Sequence, residues 1–225
     1  MATGFCIHAA AQRATDALLD RFSGVASAHL SDNMSRLAAA GTRLRPMHKG
    51  GALLGNALTV KVRPGDNLMV HKAIDMAMPR DVIVVDAGGD LTHAIIGEMM
   101  MRHAQKRGVA GLVINGAIRD LATIGADYFP VYAAGVTHRG PYKDGPGEIN
   151  VAIAIDGMVI QPGDIMVGDE DGVVAVPLAQ AGSLLELAEK HRAKEDVIMA
   201  QILAGTVDRS WVDALLKNRG CEDLR

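Results

Sequence analysis

The sequence predicts one α/β domain, part parallel sheet and part hairpin, flanked by helices at both ends. Three observations carry this. Residues 82–115 read strand, helix, strand, a βαβ unit whose crossover is expected to be right-handed. Residues 152–160 read as two short strands around Asp156-Gly157, a pair that tolerates the positive φ of a type I′ turn. Residues 12–40 and 179–217 repeat apolar side chains at helical spacing. The chain has 225 residues, 49% hydrophobic and 22% charged, which places it among globular proteins and excludes wholesale disorder. At this length roughly 70% of the unfolded surface becomes buried, so folding needs no staple.

The elements follow in order. Ala14, Leu18, Leu19 and Phe22 open the first helical stretch, and a second, Val25 to Ala40, is expected to stop at a left-handed Gly41. Ala57–Val62 alternates in the manner of a strand, and Pro64-Gly65-Asp66 turns the chain into a helix over Asn67 to Met78. Val82–Val85 is a continuous β-branched run, the mark of a strand buried on both faces. Asp86-Ala87-Gly88-Gly89-Asp90 breaks it. The next helix turns Gly97, Met100, Met101, Ala104 and Gly108 inward. Gly111–Asn115 is a second buried strand, which emerges at Gly116-Ala117-Ile118-Arg119-Asp120. After the hairpin come Ile165–Val167 and Val173–Val176, joined by the acidic turn 168–172; Pro177 ends the sheet, and 179–217 is helical apart from a break at Gly205. One domain over 1–225 results, with N-terminal helices near 12–40, an α/β core near 55–177 and C-terminal helices near 179–217.

Composition narrows the function. The net charge is −3, from 23 Lys+Arg and 26 Asp+Glu, and aromatic residues make up 3%. Nucleic-acid binding wants clustered cations and stacking platforms, so no nucleic-acid partner is expected. Cys6 and Cys221 form no CxxC pair and read as two free thiols in a reducing compartment. Met1 to Leu19 carries Arg13 and Asp16 where a signal peptide needs an unbroken apolar core, and no apolar run approaches the ~18 residues of a membrane span. A cytoplasmic protein with no membrane partner is expected. There is no GxxxxGK[ST], no GxGxxG after a strand and no HExxH, and Ser35 and Ser183 lack a nucleophile elbow.

Candidate chemistry gathers beyond the carboxyl ends of the parallel strands, where open α/β sheets place their ligands. Two adjacent strands are expected to bring Asp86 to Asp90 and Gly116 to Asp120 to one edge. The helix starting near Gly97 offers the N–H groups of Glu98, Met99 and Met100 to a carboxylate. Arg119 adds a bidentate cation, and Asp120 a hard oxygen suited to Mg²⁺ with waters and a chelating substrate. Plainer roles stand beside these. Asp120 could cap the helix 121–126, and Glu98 could pair with Arg102 at i, i+4. His71 reads as half-buried and hydrogen-bonded, His93, His103 and His138 as solvated, and Met99–Met101 as core filler. Asp169, Glu170 and Asp171 read as a tight acidic hairpin, since they lack the spacing of a Ca²⁺ loop.

Taken together, VHKAID (70–75), VIVVDAGGD (82–90), GEMM (97–100), GLVINGAIRD (111–120) and GDIMVGDEDGVVAVP (163–177) resemble a known family. It is that of the 4-hydroxy-4-methyl-2-oxoglutarate and 4-carboxy-4-hydroxy-2-oxoadipate aldolases, class II pyruvate aldolases related to the regulator of ribonuclease E activity. The resemblance covers nearly the whole chain. Its most specific mark is an acidic residue, twenty further residues and then Arg-Asp: here Glu98, positions 99–118 and Arg119-Asp120. Glu stands at 98 where some members have Asp.

The resemblance implies roles at the matched positions. Asp120 would bind the divalent metal, Mg²⁺ as a rule or Mn²⁺. Arg119 would contact the pyruvyl portion of a small oxo-acid substrate, and the amides of Gly97, Glu98, Met99 and Met100 would hold its carboxylate. Glu98 would order water on the metal. Glu195, within HRAKED (191–196), matches an acidic residue lent to a neighbouring subunit's site. The implied fold is a three-layer sandwich like the swivelling phosphohistidine domain, assembled as a homotrimer or homohexamer with active sites between subunits. The implied reaction is retro-aldol cleavage of a 4-hydroxy-2-oxo diacid to pyruvate and a keto acid. Oxaloacetate decarboxylation passes through the same enolate and is an expected side activity. The alternative is a non-catalytic regulator that binds an RNA-degrading enzyme; the intact Arg119-Asp120 pair favours the enzyme. A quinone methyltransferase would need a glycine-rich cofactor turn that this chain lacks.

Overall fold

A computed structural model describes residues 4–37 and 40–222. In chain order its elements are β1 (Phe5–Ile7), α1 (Asp16–Arg21), α2 (Ser27–Asn33), β2 (Arg45–Pro46), β3 (Leu53–Val62), α3 (Leu68–Met76), β4 (Asp81–Asp86), β5 (Ala94–Ile96), α4 (Glu98–Lys106) and β6 (Gly111–Ile118). They continue with α5 (Leu121–Ala126), β7 (Val131–Val136), β8 (Gly147–Ile149), β9 (Ile153–Ile155), β10 (Met158–Ile160), β11 (Ile165–Gly168), β12 (Val173–Val176), α6 (Ala181–Leu203) and α7 (Ser210–Asn218). By its contacts the chain divides into two compact units, Met1–Ala188 and Glu189–Arg225.

The first unit is a mixed α/β fold around a central mixed sheet. The sheet order is β1-β8-β3-β4-β6-β7-β2, with β11 also on β3, β12 beyond it, and β5 on β6. β3, β4, β6 and β7 run parallel at the centre, while β8 and β11 join β3 antiparallel. The β-branched run 82–85 lies in β4 and is buried on both faces, as its composition requires. Ile83 and Val85 pack under α3 and α4 against Ile74, Met101 and Ala104. Val82 and Val84 face the opposite way, onto Ile153, Ile155, Met158 and Ile160 of the β9–β10 hairpin. A third cluster joins Leu19, Phe22 and Leu30 to Val174, Val176, Leu184 and Leu185. The hairpin turn has φ +49 at Asp156 and +90 at Gly157, as a type I′ turn demands.

Three local expectations change. The helical pattern of 12–40 yields only α1 and α2, separated by a turn with Gly24 at φ +75; the chain leaves α2 through Ser35 and Arg36, both at positive φ, rather than stopping at Gly41. Residues 38–39 lie outside the described residues. Ala57–Val62 is the end of a longer strand covered on both faces, so its alternation marks two cores rather than a wet and a dry side. β1, β2, β5, β7 and β8 are also present. The first two and β8 have three residues or fewer and pair only with strands distant in sequence, so no local period announces them.

Asp66 ties the sheet edge to the start of α3. It is fully buried, and its carboxylate accepts hydrogen bonds from the N–H groups of Leu68 (2.9 Å), Asp144 (2.7 Å) and Gly145 (2.9 Å). Arg63 Nη2 lies 3.3 Å from the same carboxylate. Removing the side chain would take from three N–H groups a hydrogen bond to a charged acceptor, each contributing ~1.5–3 kcal/mol. Asp66→Ala is therefore expected to lose at least about 3 kcal/mol in urea unfolding, and a loss under about 1 kcal/mol would refute this reading of the loop.

The second unit contains the later part of α6 and all of α7, with Gly205 at φ +69 in the break between them, where the sequence places it. Among the described residues no helix is long and apolar enough to cross a membrane.

Candidate active site

Two strand exits form the site. β5 runs parallel to the last residues of β6, with Ile96 opposite Ile118. The next residues on each strand, Gly97-Glu98 and Arg119-Asp120, therefore leave the sheet side by side although 22 positions separate them. Arg119 N–H donates to Ile96 O at 3.0 Å and locks the register there. Asp120 follows at φ +57, a left-handed conformation that aspartate tolerates better than most residues.

That turn aims the Asp120 carboxylate away from its own helix. Asp120 makes no side-chain cap on α5; its Oδ2 instead accepts the Glu98 N–H at 2.9 Å. The carboxylate thus sits at the N-terminus of α4, where the helix dipole favours negative charge. Arg119 Nε lies 3.8 Å from the same oxygen, and the rest of its guanidinium has no hydrogen-bond partner among the described residues. Gly97 makes this approach feasible: a Cβ there would collide with Asp120 Oδ2 and lie 2.9 Å from Arg119 Cγ. The N–H groups of Met99 and Met100 open the helix with no residue behind them to accept.

These groups line a cavity of about 240 Å³ together with Asn67, His71 and Lys143. Asn67 is 2% exposed; its Nδ2 donates to Ile95 O (2.8 Å) and reaches Met100 Sδ (3.3 Å), but its Oδ1 has no partner among the described residues. His71 Nε2 is likewise buried and unpartnered. An unmet buried polar atom is costly, and two beside one cavity point to a ligand that meets them. Burial, and secondarily Lys143, holds the His71 imidazolium below its usual pKa, so the ring stays neutral at neutral pH. A sequence signal was available: Asn67, at the N-cap position of α3, and His71 stand at i, i+4 beside the buried Met69, Val70, Ala73 and Ile74. Lys143 had none, since its loop is brought here by long-range bonds: Tyr142 N–H to Gly65 O (2.8 Å), Asn67 N–H to Tyr142 O (3.0 Å), and the Asp144 and Gly145 N–H groups to Asp66.

Other expectations sort as follows. The Glu98 side chain turns toward Arg102, 3.6 Å away, and Arg102 in turn contacts Asp127, so only the Glu98 backbone faces Asp120 directly. Met100 and Met101 are buried, but Met99 is 83% exposed at the mouth and is not core filler. Asp86 accepts from Asn115 Nδ2 and Gly88 N–H, and Asp90 from Thr92, so both serve their own turn and neither lines the cavity. His93 is not solvated: it touches Thr92 at 3.0 Å and packs on Tyr142. His71 is half-buried as expected, but its Nε2 has no hydrogen-bond partner among the described residues. Asp169 accepts from Ser27 N–H and Oγ within the acidic hairpin. Glu195 lies on α6 in the second unit, 3.4 Å from His191.

The lowered His71 pKa has a stability consequence. A histidine whose folded pKa lies below its unfolded value of about 6.5 contributes its stability above that pH and loses it as pH falls, because only the unfolded chain takes up the proton. His71→Gln is expected to flatten the loss of stability between about pH 7 and about pH 5 in denaturant titrations. An unchanged slope would refute that contribution.

The residues present fit a divalent cation. Asp120 Oδ1 has no partner among the described residues, and one carboxylate oxygen with waters and a chelating ligand is a common Mg²⁺ arrangement.

Residues 27–175 match the family model described as RraA-like, Aldolase/RraA. A protein of Halalkalibacterium halodurans, provisionally named a 4-hydroxy-4-methyl-2-oxoglutarate aldolase, is 39% identical over 79% of this chain and 85% of that protein. A Thermus thermophilus protein named 4-hydroxy-4-methyl-2-oxoglutarate aldolase is 32% identical over 52% of this chain and 71% of that protein. The solved structure of the RNA-processing inhibitor RraA from Thermus thermophilus superposes with a TM-score of 0.63 at 28% identity, covering 68% of this chain and 92% of that one. The chain belongs to the RraA-like family.

Proposed function

We propose that this member of the RraA-like family is a carbon–carbon lyase that cleaves a 4-hydroxy-2-oxo diacid to pyruvate and a second keto acid. The observation that carries the reading is the convergence of Arg119, Asp120 and the first amides of α4 on a cavity holding two unmet polar atoms. The N–H groups of Met99 and Met100 suit the pyruvyl carboxylate. Arg119 can place two N–H groups on oxygens that gain charge as the C–C bond breaks and the enolate forms, stabilisation felt most in the transition state. Asn67, neutral His71 and Lys143 supply an acceptor, a ring nitrogen and a cation for the distal hydroxyl and carboxylate. Asp120 would hold a divalent cation, Mg²⁺ or Mn²⁺, which when bound supplies a Lewis acid for the 2-oxo acid. No lysine need form a Schiff base. Oxaloacetate, which loses CO₂ to give the same enolate, is the proposed side substrate.

Glu195 is proposed to act in a neighbouring copy's site within a trimer or hexamer. The segment that carries it leaves Ile198, Ile202 and Trp211 exposed, apolar surface that assembly would cover.

The test is pyruvate release from 4-hydroxy-4-methyl-2-oxoglutarate by the full chain. Turnover is expected with Mg²⁺ or Mn²⁺, abolished by EDTA and restored by adding the cation back. No release under either metal would refute the lyase. The structural likeness to an RNA-processing inhibitor favours a second reading, a regulator that binds an RNA-degrading enzyme. Inhibition of such an enzyme by a chain that releases no pyruvate is its expected result.

A further inference from the structure

At the β1 edge of the sheet, Cys6, His8 and Glu148 converge in a way the proposed reaction does not use. Strand geometry sets this up. Cys6 and His8 are two apart on one strand course, so their side chains leave the same face. β1 pairs parallel with β8, and Cys6 stands opposite Glu148. The His8 N–H donates to Ile149 O at 3.0 Å, and Asn150 Nδ2 donates to His8 O at 3.2 Å, so the histidine backbone is fixed on both sides.

Three donor atoms result. Cys6 Sγ lies 3.0 Å from His8 Nε2 and 3.5 Å from Glu148 Oε1, and His8 Nε2 lies 3.3 Å from the same oxygen. A tetrahedral zinc with Zn–S near 2.3 Å and Zn–N and Zn–O near 2.0 Å separates its ligand atoms by roughly 3.3–3.6 Å. Two of the three edges fall in that range. This is not a nucleophile relay, in which the carboxylate holds the ring nitrogen far from the thiol. Here thiol and carboxylate both approach Nε2. The thiol and the ring nitrogen bring at most two protons to three close contacts, so hydrogen bonding leaves one contact unmet. A cation at the centre satisfies all three.

We propose that Cys6, His8 and Glu148 form a second metal site, distinct from the oxygen-rich Asp120 corner, that takes a thiolate-preferring divalent ion such as Zn²⁺ and leaves a fourth position to water. Sulfur and imidazole select zinc or cobalt over magnesium. On binding, the Cys6 thiol releases its proton to solvent and forms the metal–sulfur bond while His8 binds as the neutral ring. In the free chain, partial burial and the adjacent Glu148 both hold the thiol above its ordinary pKa; the cation reverses the electrostatic part of that effect. The ion would clamp the three-residue β1 to β8, closing an edge that backbone pairing alone holds weakly.

The experiment is a Co²⁺ titration of the chelator-treated full chain with Mg²⁺ in large excess. Expected is one cobalt per chain, with a thiolate-to-metal charge-transfer band and the intense visible bands of tetrahedral cobalt, displaced by Zn²⁺. Cys6→Ser is expected to abolish the charge-transfer band, His8→Gln and Glu148→Gln to weaken binding more than about 100-fold, beyond what loss of an outer partner costs. Asp120→Asn should leave the cobalt spectrum unchanged. A wild-type spectrum without the thiolate band overturns the proposal, and so does a band that persists in Cys6→Ser, which would assign it to Cys221. The wild-type spectrum needs no variant to fold, and pyruvate release is read separately, so failure here and failure of the lyase are distinguishable.

Discussion

Asp120→Asn is expected to lower kcat/KM for pyruvate release by on the order of 10²–10³, a loss of about 2.7–4 kcal/mol of transition-state stabilisation. The substitution isolates charge from geometry. Asparagine tolerates the left-handed φ of +57 that the position requires, and its side-chain oxygen can still accept the Glu98 N–H now bonded at 2.9 Å. The helix cap and the backbone turn are therefore kept, and the thermal midpoint should stay near that of the wild type. What disappears is the negative charge that would hold a cation and that faces Arg119 Nε at 3.8 Å. A variant that retains wild-type turnover at equal Mg²⁺ would remove Asp120 from the reaction.

Gly97→Ala is expected to cost about 10² in kcat/KM by displacement alone, since a misplacement near 1 Å can have that effect. The new methyl would occupy the space taken by Asp120 Oδ2 and crowd Arg119 at both Cγ and Nε, at 2.9 and 3.1 Å. Both side chains must move together. Backbone strain is not the cause, because Gly97 is extended, with φ −144. Gly125→Ala is the matched control: it lies in helix α5, and its methyl would meet only Met47 O, at an ordinary 3.5 Å. It should leave activity unchanged and stability equal or slightly higher. Equal activity of both alanine variants would show that the Gly97 contact does not set the site.

The contrast between these residues shows what could be read without coordinates. Arg119-Asp120 was legible because it follows an unbroken apolar strand, and ligands gather where such strands end. The Glu98 amide was legible as part of a helix N-terminus, but its pairing with Asp120 was not, since β5, which brings the two together, has three residues and no period of its own. His71 was visible but its role was not: a histidine on an apolar helix is ordinarily a satisfied one, and only the cavity reveals its unmet Nε2. Lys143 carried no local sign, and Pro64-Gly65-Asp66 announced a turn but not the buried anchor that Asp66 makes. Their roles come from hydrogen bonds that span up to 79 positions.

The sequence by itself determined the parallel β4–α4–β6 core, the Asp-Gly hairpin, the Gly205 break and the Arg-Asp pair at a strand exit. Each depends on the conformational preference of a few neighbouring residues or on one hydrophobic period. The tertiary structure alone decided that Ile96 stands opposite Ile118, that Asp120 caps a helix other than its own, and that Asn67, His71 and Lys143 face the same cavity. Those outcomes depend on which distant strands pair and in what register, a choice made by burial of the whole sheet rather than by any segment within it.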